Sequence, residues 1–279
     1  VLAVTAVLAL AAATASQVPL STGIEILKAE DARRYDSALE KLLASPSSDV
    51  RKRAALAAGR IGDVRAVRPL AGLLASDRST DVREMAAFAL GEIESIDGCD
   101  AILGILDPDR RPGGTDAGVV ARAVEAAGKI AAANPKDERS KTLGKAILAV
   151  LDFEHNKRSR AFDDIVMLSL TAVLRARPEG GADSVKNFLR YSNPRIVSDA
   201  LNTLTRLRAK NANSEVRELL STHKDAVVRA NAARVLGAAE DNDSFDLLLK
   251  AAMGDPDLRV RVAAIRSLAS LKDQRAAER

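Results

Sequence analysis

Apolar and small residues recur along this chain at helical spacing, and the blocks they form repeat. Residues 49–63 read DVRKRAALAAGRIGD, 81–95 DVREMAAFALGEIES, 227–241 VVRANAARVLGAAED and, more loosely, 258–273 LRVRVAAIRSLASLKD. The valines opening these copies are Val50, Val82, Val228 and Val260, and the steps Val50 to Val82 and Val228 to Val260 are both 32 residues. After Val50, apolar or small side chains fall at Ala54, Leu56, Ala57 and Ile61, one face of a helix. A fixed period of this size predicts a solenoid of stacked units.

Each unit reads as two helices. The second carries the anchor valine and, nine positions on, a small residue: Gly59, Gly91, Gly237 and Ala269. Glycine inside a helix costs about 1 kcal/mol against alanine, so its recurrence points to close helix packing. Asp49 and Asp81 are placed to cap these helices, Asp81 with Glu84 as a capping box. First helices are expected over Tyr35–Leu43, Ala66–Leu74 and Phe245–Ala252. Seven units follow, with anchors at Val50, Val82, Val119, Ile165, Ile196, Val228 and Val260; the fourth and fifth are degenerate.

The pattern D-V-R-x-x-A-A-x-A-L-G-x-I-G-D resembles HEAT repeats, and within them the short bilin-lyase-type subgroup, over nearly all of residues 35–273. The resemblance implies an all-α fold, an α-solenoid of about seven helix pairs. It leaves activity open, because such repeats occur in scaffolds, lyase subunits, hydroxylases and nucleic-acid-binding proteins.

Composition adds little to this. There are 42 basic and 38 acidic residues, net charge +4, and most are expected on solvated helix faces. The single cysteine, Cys99, excludes an intrachain disulfide and reads as a small, partly buried apolar residue. The uncharged stretch Val1–Ala15, followed by Ser16-Gln17-Val18-Pro19, reads as a signal-peptide remnant ending in a small-x-small cleavage pattern. The expected location is therefore periplasmic or secreted, or cytoplasmic if the segment is not a signal; it is short for a membrane span. Residues 16–34 read as a linker or N-terminal helix, and residues 274–279 as a tail or the start of a further repeat.

Catalytic signals are poor. His155 and His223 lie far apart, and Glu154-His155 reverses the order of the His-Glu pairs in metal-dependent hydroxylases built on HEAT repeats. A loop at His155 with Asp152 is expected to be solvated, not metal-bound. Gly144-Lys145-Ala146 lacks the elements of a phosphate loop, and Asp163-Asp164 is an ordinary surface pair. No catalytic residue, metal site or cofactor is predicted.

Two features remain. Arg51, Arg83, Arg229 and Arg261 follow their anchors and form a ladder, either paired with aspartates to fix the repeats or offered as a basic stripe. Two period-breaking stretches, 107–118 (DPDRRPGGTDAG) and 153–160 (FEHNKRSR), fall between the helices of units three and four and should share one edge. Their Arg110, Arg111, Lys157, Arg158 and Arg160, set against Asp107, Asp109 and Asp116, are the candidate partner-binding residues. The reading is a non-enzymatic, exported scaffold binding another protein, of acidic character. The rivals are a lyase-like or chaperone-like subunit and a nucleic-acid-binding solenoid, the latter disfavoured because no aromatics interleave the basic stripe.

Overall fold

The structure of the protein, a computed structural model, describes residues 18–107, 116–156, 162–273 and 275. Among these residues it is an all-α solenoid without strands. A lead helix, α1 (Leu20–Asp31), precedes seven pairs. They are α2 (Ser37–Leu43) with α3 (Ser48–Ile61), α4 (Val67–Ser76) with α5 (Thr80–Ile93), and α6 (Cys99–Leu106) with α7 (Ala117–Ala133). Next come α8 (Glu138–Asn156) with α9 (Asp163–Ala176), and α10 (Gly181–Lys186) with α11 (Pro194–Leu207). The last are α12 (Asn213–Thr222) with α13 (Ala226–Ala238), and α14 (Phe245–Gly254) with α15 (Leu258–Leu271). All seven anchors lie on second helices and none is more than 4% exposed, so the degenerate units are full members of the stack.

Second helices pack flank to flank along the stack, whereas successive first helices meet only sparsely. A stack tight on one side and splayed on the other curves, which puts the second helices on its inner face. Glycine sets the tight side. A Cβ on Gly59 would stand 2.7 Å from the Ala89 Cα, one on Gly91 2.8 Å from that of Ala126, and one on Gly128 2.7 Å from that of Ala172. On Gly237 it would meet Ser267 in the same way. No side chain fits at these crossings, and the core between them is largely alanine and leucine.

Several local expectations are corrected. Asp49 and Asp81 do not cap: the N-cap positions are Ser47 and Ser79, and both carboxylates sit in the first helical turn, where the helix dipole favours them. The Asp81–Glu84 capping box does not form; Lys52 binds Asp81 at 2.7 Å, and the Glu84 carboxylate lies over Gly118. Tyr35 precedes α2, and Ala66 belongs to a 3-10 turn (Val64–Ala66) ahead of α4. The stretch expected as a loop from Phe153 is helical through Asn156. Glu154 is buried there and accepts a 3.0 Å hydrogen bond from the Phe162 N–H. His155 is accordingly on a helix, edge-on to the Phe188 ring at 5.5 Å, not in a loop.

Candidate interaction groove on the inner face

The stacking glycine is missing in the middle of the chain. Nine positions past the anchors Ile165 and Ile196 stand Leu174 and Thr205. At this position each second helix meets the next, so Leu174 holds α9 off α11 and Thr205 stands at the α11–α13 crossing; the α9–α11 junction is much looser than the neighbouring α7–α9 one. A groove of about 1000 Å³ opens there, running from the start of α7 across α9 to α11. Leu174 and Thr205 both line it.

Its walls differ in chemistry. The α9 side is mainly apolar, with Met167, Leu168 and Leu174 around Thr171. The α11 side is a polar stripe, Arg195, Asp199, Asn202 and Arg206, spaced to share one helix face. Thr203 crosses the floor, donating to Asp199 O at 2.9 Å and to Leu170 O at 3.5 Å. Burial holds the Asp199 carboxyl above the usual carboxylate range despite Arg195 nearby. Beyond the α7 edge, Arg122 and Lys129 lie over the Phe88 ring at 5.7 and 4.7 Å. Lys129 also binds Glu92 at 2.6 Å and Glu125 at 2.7 Å.

Arg110, Arg111, Lys157, Arg158 and Arg160 lie outside the described residues, as does Asp109. The described ends of both stretches reach the groove: Ala117 and Gly118 close the first, Phe162 follows the second, and all three line it. Phe162 is 54% exposed, unusual for a residue so placed, and gives that rim an apolar contact.

The arginine ladder has a repeating geometry. Arg51 donates to Asp77 in the next unit at 2.6 and 2.8 Å, and to the carbonyls of Ser45 and Pro46. Arg229 does the same with Asp255 at 2.9 Å through both nitrogens, and with the carbonyls of His223 and Lys224. Arg83 bonds Asp77 O at 2.7 Å, the Thr80 hydroxyl and Asp116. Arg261 bonds Asp255 O at 2.8 Å and Pro256 O. The equivalent residues in units three to five are the buried Val120, Val166 and Val197, so no continuous stripe exists. Burial pushes the Asp77 carboxyl up, but Arg51 and the Ser79 N–H outweigh it and hold it below the usual range. Asp255 is held low chiefly by Arg229.

Cys99 is 1% exposed, and burial raises its thiol pKa, the opposite of an activated nucleophile. The His223 Nδ1 accepts from the Asp225 N–H at 3.1 Å, a turn contact. Among the described residues no group of three His, Cys, Asp or Glu could hold a metal ion, and no helix is long and apolar enough to cross a membrane. Sequence reasoning passed over Arg195, Asp199, Asn202 and Arg206 because their unit was degenerate. The missing glycine was the signal that could have found them.

The fold defines a helical-repeat protein with a groove on its inner face. The chain belongs to the HEAT-repeat family, whose pattern matches residues 35–113 and 213–279 and leaves out the units that form most of the groove. Its structure is similar to that of YibA from Escherichia coli, with 19% identity, TM-score 0.63, and coverage of 93% of this chain and 89% of that one. It is also similar to an engineered protein, with 21% identity, TM-score 0.56 and coverage of 91% and 71%. The complex of CpcE and CpcF of phycocyanin lyase from Nostoc sp. matches at 18% identity, TM-score 0.51 and coverage of 86% and 90%. These are likenesses of fold. No curated protein matches the sequence.

Proposed function

We propose that this chain is a non-enzymatic, exported scaffold that holds a segment of another protein in the groove between α7, α9 and α11. The observation that carries the reading is the loss of the stacking glycine at Leu174 and Thr205, in a chain that keeps glycine at Gly59, Gly91, Gly128 and Gly237. A solenoid needs no gap to fold, and this one pairs an apolar wall with a polar wall, as a peptide-binding groove requires. The ladder is its frame: Arg51 and Arg229 staple unit to unit. Arg110, Arg111, Lys157, Arg158 and Arg160 are offered as further contacts to the same partner.

The test is site-specific photocrosslinking in the native host. A benzophenone amino acid at Thr171 or Asn202, inside the groove, should capture the same protein. At Lys141, exposed on the first helix α8, it should not. Capture from Lys141 and not from the groove would refute the reading. Export predicts a functional chain beginning at Ser16, read by N-terminal sequencing.

A further inference from the structure

The inner face divides into two halves by how its cations are used. In the N-terminal half they are neutralised within the protein: Arg53 and Arg60 by Glu30, and Lys129 by Glu92 and Glu125. In the C-terminal half four arginines are not. Arg175 and Arg206 stand ten positions past Ile165 and Ile196, and Arg234 and Arg266 six positions past Val228 and Val260. Ten and six differ by about one helical turn, so the four share one face. All four are exposed, one on each of four consecutive second helices. Only Arg234 has a partner among the described residues, the neutral Asn231 side chain.

We propose that this arginine row is the docking track for an extended acidic segment of the partner protein, continuing from the groove toward α15. The proposal rests on the groove reading for where the segment enters. Second helices packed about 8–10 Å apart put the four guanidinium groups along about 30 Å. An extended chain advances about 3.3–3.6 Å per residue, so one carboxylate every third residue, over about ten residues, meets every arginine. Guanidinium left in water binds carboxylate best by the paired N–H geometry that a regular row can offer repeatedly. A nucleic-acid strand fits less well. Helices α9, α11, α13 and α15 contain no aromatic residue on which a base could stack.

The test uses the full chain and three fluorescent probes in anisotropy titrations at low and rising salt. They are a twelve-residue peptide of Glu-Ala-Ser repeats, the same peptide with Gln for Glu, and a twelve-nucleotide oligothymidine. The Glu peptide should bind about tenfold or more tighter than the Gln peptide, with affinity falling as salt rises. Arg234→Glu with Arg266→Glu, both outside the groove lining, should weaken it about tenfold while the circular dichroism spectrum stays unchanged. Arg234→Lys with Arg266→Lys should retain most of the binding. Equal binding of the Gln peptide, or no loss in the charge-reversed variant, overturns the row; groove crosslinking from Asn202 that persists then shows that only the row has failed. Oligothymidine binding tighter than the Glu peptide, and lost in the same variant, would assign the row to nucleic acid instead.

Discussion

Two glycine-to-alanine changes should move stability in opposite directions. Gly72 is exposed in the middle of α4, and a Cβ there meets nothing within 4 Å. Gly72→Ala therefore only restricts the unfolded chain and improves helix propensity, stabilising by about 0.5–1 kcal/mol. Gly128 is buried at the α7–α9 crossing, where a Cβ would stand 2.7 Å from the Ala172 Cα and 2.8 Å from its Cβ. Ordinary carbon contacts are about 3.5–4.0 Å, so the helices must part by about 1 Å or distort. Such overpacking costs about 1–3 kcal/mol, against the same propensity gain of about 1 kcal/mol. Gly128→Ala should thus be neutral to about 2 kcal/mol destabilising, and Gly128→Val clearly worse. Urea unfolding followed by circular dichroism at 222 nm measures both, with the unfolding slope checked for constancy. If Gly128→Ala stabilises as much as Gly72→Ala, glycine is not what lets the second helices approach. The account of the groove at Leu174 then fails with it.

Other outcomes follow from the same structure. Leu70 is fully buried, so Leu70→Ala should cost about 2–5 kcal/mol in urea unfolding. Asp77 and Asp255 have carboxyl pKa values lowered in the folded state. The stability they add is therefore present above the unfolded aspartate value near 4 and disappears as pH falls through the lower folded values. Asp77→Asn with Asp255→Asn should lower stability at pH 7 and flatten its decline below about pH 4, read from unfolding curves across that range. Arg158→Glu with Arg160→Glu should leave helical content and melting temperature almost unchanged, within about 0.5 kcal/mol, and weaken capture of the partner most at low salt.

The repeat period, the anchor valines and the recurrent glycines made the solenoid legible from the sequence, down to Ile165 and Ile196 in the degenerate units. This works because each unit buries its own period against a neighbour of the same kind, so local pattern and tertiary contact coincide. Caps were less legible: Asp49 and Asp81 looked like caps but lie within the first turn, because each helix begins earlier and puts Ser47 and Ser79 at the N-cap positions. The arginine ladder was visible as a recurrence, but its partners Asp77 and Asp255 lie 26 residues away, a distance only stacking closes. The groove was decided wholly by the fold. Leu174 and Thr205 are unremarkable residues in sequence, and they matter because the residues facing them across the stack elsewhere touch a glycine. Likewise Arg175, Arg206, Arg234 and Arg266 share no motif; the superposition of successive second helices turns them into one row.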